Sequence, residues 1–430
     1  MVQDKNHHRF FYGYVVAAAG FVTWFIGWGA YAMCFGVFFK PLLAEFHWTR
    51  AETSLAYAVS CVVQAGLGIT TGWLTDRLGP RIVVTVFGSF LGWSFLLVSQ
   101  VHALWQFIIY YAVVGGIGAS ILNIPIMATV SRWFIKRRGL MLGIVQAGAG
   151  IGGFFLAPFA GWLIIGYGWR QASIVLGIMT AALMILAGLF LIREPGDIGQ
   201  FPDGIRSDTA TGMKLPKRKP PSSARSLRPF LTTVPFWIIT GIFSSFGYFR
   251  STFTAHIAVH VQDLGFSLSD GANVLAVISI GTIIGRIGMG RVADKIGNRR
   301  TLIISFTATT LIIGWLMVAR DLWALYLFAM GYGFGWGAVA VLRFAITAEV
   351  FGLASVGFMM GIFGFSESLS ATFSSYFGGF VYDRSGSYRA AFMICFAISF
   401  LGILMAWWLK PHRFLKLGLQ NAGNISAPKT

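Results

Sequence analysis

Twelve apolar runs, most of them about twenty residues long, govern what this chain can fold into, because about twenty residues of α-helix cross the roughly 30 Å hydrocarbon core of a bilayer. They lie near residues 14–39, 53–74, 82–100, 104–130, 140–164, 171–192, 235–259, 268–290, 301–319, 323–348, 355–380 and 389–409. With 56% of its 430 residues hydrophobic and 11% charged, the chain has more apolar surface than a water-soluble fold of its length can hide. Period-two alternation is absent and glycine is abundant, at 53 residues, which favours packed helices over barrel strands. The expectation is an all-α membrane protein of twelve transmembrane helices.

A repeat divides these segments in two. Gly72-Trp73-Leu74-Thr75-Asp76-Arg77-Leu78-Gly79-Pro80-Arg81 returns 218 residues on as Gly290-Arg291-Val292-Ala293-Asp294-Lys295-Ile296-Gly297-Asn298-Arg299. The same offset carries Thr49-Arg50-Ala51-Glu52 onto Ser267-Leu268-Ser269-Asp270 and Trp105 onto Trp323, and Trp169-Arg170 falls one residue later on Tyr388-Arg389. Duplicated membrane halves with a site between them are a common build of secondary transporters. The predicted organisation is a six-helix half over 1–192, a linker over 193–230, a second six-helix half over 231–410 and a tail over 411–430.

The net charge of +18 is distributed by topology. If both chain ends, the linker and the loops after spans 2, 4, 8 and 10 share a side, that side holds 24 of the 33 Lys and Arg residues, against six opposite. Positive residues mark the cytoplasmic side, so both ends are expected there, in a multi-pass protein of the cell membrane, and no nucleic-acid partner is implied. The first apolar run is too long for a signal-peptide core and is expected to be retained. The linker, with six prolines and eight basic residues, reads as a partly disordered tether held against the anionic inner leaflet. Cys34, Cys61 and Cys395 are isolated within spans and read as small packing residues.

Thr49 with Glu52, and Ser267 with Asp270, have the spacing of capping boxes, which predicts firm starts for helices 2 and 8. Gly115-Gly116-Ile117-Gly118 and the glycines from Gly148 to Gly153 sit within apolar runs, where they predict close helix packing rather than phosphate binding. No P-loop, nucleophile elbow or zinc spacing appears. Neither an enzyme, a cofactor nor a metal is therefore expected.

With repeat and topology established, the chain resembles the major facilitator superfamily over essentially its whole length. The loop motif is carried by Gly72, Leu74, Asp76, Arg77, Gly79 and Arg81, with a second copy at Gly290, Asp294, Lys295, Gly297 and Arg299. The stretch from Trp133 to Gly143, continuing through Ala147-Gly148 to Gly152-Gly153, is similar to the entry of the fifth helix in monocarboxylate transporters and their bacterial relatives, the oxalate/formate exchangers. So are Gly13-Tyr14-Val15-Val16, Phe35-Gly36-Val37-Phe38-Phe39, and His256 followed by Asp263. The resemblance implies that superfamily's fold of two pseudo-symmetric six-helix halves, and transport of a small organic anion with a proton. Two departures stand out. Met33 occupies the place of a lysine of the animal monocarboxylate transporters, and Thr282 that of an Asp four residues before the eighth-helix Arg.

That Arg is Arg286, about 12 Å inside the predicted boundary by helix rise. A charge there costs about 3 kcal/mol even on lenient scales, which marks it as functional, and its fork matches a carboxylate. An interhelical ion pair is the alternative. Asn123 lies at similar depth, either binding substrate or compensating Pro125, and Tyr332 and Phe365 are candidate pocket walls. Glu367, the one acid buried in the middle of a predicted span, and His256 are candidate proton carriers; Glu367 is equally a candidate fixed partner of Arg286 or Arg343. Arg343 reads as structural or gating. Asp76, Arg77, Arg81, Asp294, Lys295 and Arg299 are expected to form a conformational latch across the halves.

The predicted function is a secondary transporter of small monocarboxylates, lactate or pyruvate in type, proton-coupled and working by alternating access. An oxalate/formate-type anion antiporter and a non-transporting membrane sensor are the alternatives.

Overall fold

The computed structural model describes residues 10–122, 124–204, 228–351 and 356–409. Two glycines show how the repeat is built into the backbone. Gly79 and Gly297 adopt φ of 84° and 89°, a region that disfavours residues with a Cβ, and each ends one helix and begins the next. A Cβ would meet nothing within 4 Å at either site, so the backbone angle and not space calls for glycine. The duplicated loop motif is thus a duplicated turn.

Twelve helical passages follow in order: α1 (Gly13–Phe46), α2 (Arg50–Leu78), α3 (Pro80–Val98), α4 (Leu104–Ala119 and Ile124–Trp133), α5 and α6 (Arg138–Leu189), α7 (Val234–Asp263), α8 (Leu268–Ile296), α9 (Asn298–Leu316), α10 (Leu322–Phe351), α11 (Val356–Ser385) and α12 (Arg389–Trp408). The α5–α6 stretch turns at Gly168, where φ is 81°. Both capping boxes form. Thr49 Oγ1 accepts the Glu52 amide at 3.1 Å and Ser267 Oγ that of Asp270 at 3.1 Å, while each acid accepts the amide of its own cap residue.

The loops after α2, α4, α8 and α10 share a face with the start of α1 and the end of α12, here the proximal face; the other loops form the distal face. Residues 193–204, expected as part of a loose tether, are instead fastened to the proximal face. Asp203 accepts the amides of Ile135 and Lys136 at 3.0 and 2.8 Å, and Gln200 bonds the backbone of Tyr12 and Phe10. Residues 205–227 of the linker and the tail from 410 lie outside the described residues.

Packing within the halves follows small residues. Along α5, a Cβ on Gly148 or Gly152 would collide with the backbone of α1, and one on Gly150 or Gly153 would collide with Ile283 or Ser279 of α8. This helix therefore packs at backbone distance against two neighbours, one in each half. The sequence does not announce a second device: α1 and α4 widen into π-helical turns at Gly27–Met33 and Ile108–Gly115. There Tyr31 and Tyr111 stack at 4.6 Å, each hydroxyl donating to the other's backbone carbonyl at 2.8 Å. The three cysteines are free and buried.

Candidate functional site

The halves meet mainly along three helix pairs, closely at the distal face and less so towards the proximal one. Between α2 and α11, Thr372 Oγ1 donates to the carbonyl of Ala58 at 3.1 Å and Ser375 Oγ to that of Ser54 at 3.4 Å. One turn further in, the same faces are open: Val62 is 41% exposed and Leu369 50%. Phe365, seven residues before Thr372, lies within about 20° of it around the helix, and is 51% exposed. Between α1 and α7, Phe39 packs edge-on to His256. The α5–α8 seam runs deeper, from Gly161 beside Ala272 to Gln146 beside Arg286.

Arg286 sits at the proximal end of that packing. Its Nη1 donates to the backbone carbonyl of Gln146, in the opposite half, at 2.7 Å. Its Nε is buried without a partner, and no carboxylate pairs with it among the described residues. Around it lie Trp28, Met33, Ser279, Thr282 and Trp336, enclosing a cavity of about 10 Å³, room for about one water. Met33 and Thr282, the positions where the resemblance leads one to look for a lysine and an acid, both line this cavity. Thr282 and Ser279 donate their hydroxyls to carbonyls within α8, at 2.7 and 2.9 Å. Arg286 is the one ionisable side chain in the lining.

Glu367 does not pair with Arg286. One carboxylate oxygen lies 3.3 Å from Nε of Arg250 on α7 and the other pairs with Arg343 on α10, so the acid joins three helices of the second half. Arg250 also faces the Trp28 ring, with its guanidinium carbon 5.6 Å from the centroid, and Arg343 lies over Phe246 at 4.8 Å. Three guanidiniums and one carboxylate thus occupy the middle of the spans. An Arg–Glu–Arg cluster of this kind is strongly destabilised when one partner is removed, because the remaining charges are left buried.

His256 is fully buried at the distal end of the interface. Its Nε2 is 2.8 Å from the carbonyl of Ser375, which can only accept, so Nε2 carries the proton and Nδ1 faces the Tyr388 hydroxyl at 3.2 Å. Tyr388 in turn accepts from Arg50 Nη1 at 2.9 Å, and Arg50 forms a bidentate pair with Asp263 at 2.6 and 2.9 Å. Lys40 lies 3.7 Å from the same acid. This distal network joins α2 to α7 and α12. In the sequence Arg50 stands out only by its place in the repeat, directly after the helix cap Thr49.

Other expected residues fall elsewhere. Tyr332 is fully buried in the second half, stacked on Phe328, with its hydroxyl donating to the carbonyl of Phe249 at 3.3 Å; it does not wall the cavity. Asn123 lies outside the described residues. The latch residues make no bond across the halves. Asp76 pairs with Arg132 of its own half, Arg77 covers Trp73 at 4.2 Å, and Arg299 donates to carbonyls of Ala406 and Trp407. Arg81, Asp294 and Lys295 have no hydrogen bond or ion pair among the described residues. Among the described residues each of these loops bonds within its own half.

With this geometry in place, the chain can be set beside known proteins. The family model of the Major Facilitator Superfamily matches residues 16–306 and 262–424. The chain belongs to that superfamily, and within it resembles the monocarboxylate transporters. It is 28% identical over 406 residues to monocarboxylate transporter 13 of Rattus norvegicus, covering 92% of this chain and 89% of that protein. It is 28% identical to monocarboxylate transporter 11 of Homo sapiens, with 89% and 80% covered, and 27% identical to an MFS-type transporter of Ophiocordyceps, with 92% and 84% covered. Among solved structures, a D-xylose-proton symporter aligns with a TM-score of 0.73 at 15% identity, over 92% of this chain and 98% of its own. A bacterial homologue of the human lysosomal transporter Spinster, solved inward-facing and unoccupied, aligns with a TM-score of 0.71 at 15% identity, over 94% and 98%. Those two likenesses concern the fold.

Proposed function

We propose that this protein carries small monocarboxylates, lactate or pyruvate in type, together with a proton, by alternating access across the cell membrane. With both ends cytoplasmic, as the distribution of Lys and Arg implies, the state described here is closed outside and parted inside. The observation that carries the reading is the unpaired edge of Arg286. With Nη1 held by Gln146, a carboxylate arriving on the Nε edge satisfies the orphan donor and meets a planar fork. Thr282, Ser279, Trp28 and Trp336 border that edge; the cavity they enclose holds about one water in this state, so a short hydroxy or keto acid enters only as the helices around Arg286 move apart.

The lining holds no second ionisable group, so the proton is carried outside it, by Glu367 or His256. Glu367 engages both oxygens with arginines, so taking a proton means loosening one of those pairs, which ties protonation to the relative positions of α7, α10 and α11. One anion and one proton moving together make an electroneutral step. Uptake of labelled lactate into proteoliposomes tests the proposal. Uptake is expected to follow an inward pH gradient, to ignore membrane potential, and to be inhibited by lactate-sized acids more than by oxalate. A strict requirement for internal anion, or a preference for oxalate, would replace it with exchange of the oxalate/formate kind.

A further inference from the structure

We infer that Asp383 is a latch of the distal seam: from the second half, its carboxylate caps the N-terminus of α2 in the first half, and so holds the distal face closed. The first amides of a helix have no acceptor within it. In α2 the third is taken by Thr49 Oγ1 at 3.1 Å, and the first two go to Asp383: Arg50 N donates to Oδ1 at 3.0 Å and Ala51 N to Oδ2 at 2.8 Å. A carboxylate at this point also meets the positive end of the helix dipole. One turn earlier Gly379 lets α11 approach, since a Cβ there would lie 2.6 Å from the Ala51 nitrogen. Tyr382, the residue before the acid, lies flat under the Arg50 guanidinium at 3.5 Å.

The contact is confined to one seam. At α8, where Ser267 and Asp270 repeat the capping box of Thr49 and Glu52, no carboxylate accepts the amides of Leu268 or Ser269 among the described residues. The position that answers to Asp383 at the repeat offset is Ile164 or Ile165. Asp383 is therefore no part of the duplicated frame. Opening the distal face must draw α11 away from α2 and leave two amides to water, so this one side chain weights the balance towards the distally closed state.

The test needs no substrate and stands apart from the identity of the cargo. Full-length protein in nanodiscs, with Cys34, Cys61 and Cys395 replaced by Ala, carries one reporter on α2: Ser54→Cys, buried in the distal seam, or Val62→Cys, exposed where the seam has parted. Asp383→Asn keeps the shape but can accept from only one of the two amides. It is expected to speed maleimide labelling at Ser54→Cys about three- to thirtyfold, the range set by loss of a helix cap, and to slow it at Val62→Cys. Thr49→Ala, which removes the cap supplied within α2 itself, should leave the ratio of the two rates unchanged. If Asp383→Asn does not fold, Gly379→Ala disturbs the same contact through its Cβ and should shift the ratio in the same direction. Unchanged labelling at Ser54→Cys, or equal acceleration at both reporters, would overturn the inference, the latter because it signals general loosening.

Discussion

Replacing Arg286 by Lys removes the fork and keeps the charge, and is the most direct test of the site. In the structure Nη1 is committed to the Gln146 carbonyl at 2.7 Å, which leaves the Nε edge to take both oxygens of a carboxylate. A lysine presents one nitrogen on a flexible stem and forfeits one of these two charge-assisted bonds. A hydrogen bond to a charged group is worth about 1.5–3 kcal/mol, and each 1.4 kcal/mol is about tenfold in affinity. Arg286→Lys is therefore expected to raise the Kd for lactate about ten- to 150-fold. No other lining residue is positively charged. Loss of the bond to Gln146, itself charge-assisted, costs about 1.5–3 kcal/mol of stability at most. Equilibrium binding of radiolabelled lactate to purified protein reads the affinity, and a thermal melt on the same sample controls for folding. A Kd within threefold of wild type, in protein that melts normally, would show that the carboxylate is held elsewhere.

Further outcomes follow from the charged cluster and the loops. Glu367→Gln leaves Arg250 and Arg343 without their counter-ion, at a cost of about 3 kcal/mol; a clearly lowered melting temperature is expected, with pH-driven uptake impaired more than lactate exchange. Equal loss of both activities would argue against Glu367 as the proton carrier. Asp76→Asn breaks the pair with Arg132 far from the cavity, so turnover should fall while the Kd for lactate stays within about twofold, an affinity change expected for surface sites remote from a ligand. His256→Ala removes the bonds to Ser375 and Tyr388, and should alter uptake driven by external pH while leaving binding at Arg286 intact; a matching loss of affinity would refute the separation of the two sites.

Helix positions, caps and the duplicated turn were legible because each rests on local chemistry. An apolar run of sufficient length, a hydroxyl three residues before an acid, or a glycine where φ turns positive carries its own reason. Arg286 and Glu367 were legible for a related reason, since a charge inside a span is costly wherever it points. What each charge meets was not legible. The choice of Arg250 and Arg343 for Glu367, and of a backbone carbonyl for Arg286, depends on how three helices rotate about their axes. The same limit misplaced Tyr332, whose aromatic character suits a pocket wall and a packed core equally. The π-helical turns of α1 and α4 escape notice too, because Tyr31 and Tyr111 justify them only together and are 80 residues apart.

The repeat also shows where function departs from frame. At the offset of 218, Arg250 answers to Ala32, His256 to Phe38, Arg286 to Gly68, Arg343 to Pro125 and Glu367 to Ala149. Each of these five ionisable side chains of the second half has an apolar or small counterpart in the first, whereas the turn glycines and capping boxes are matched. Two halves that need only rock against each other require the same turns and starts, and these the duplication preserved. A site between them is satisfied by one charged wall and one smooth wall. The first half supplies the smooth one, through Trp28, Met33, Ala149 and Gly150. Its single polar contribution to Arg286 is a backbone carbonyl, which any residue at position 146 can provide and which no motif would reveal. The second half carries the charges, and on the mechanism proposed above its movement relative to that smooth wall would expose the free edge of Arg286 to one side of the membrane or the other.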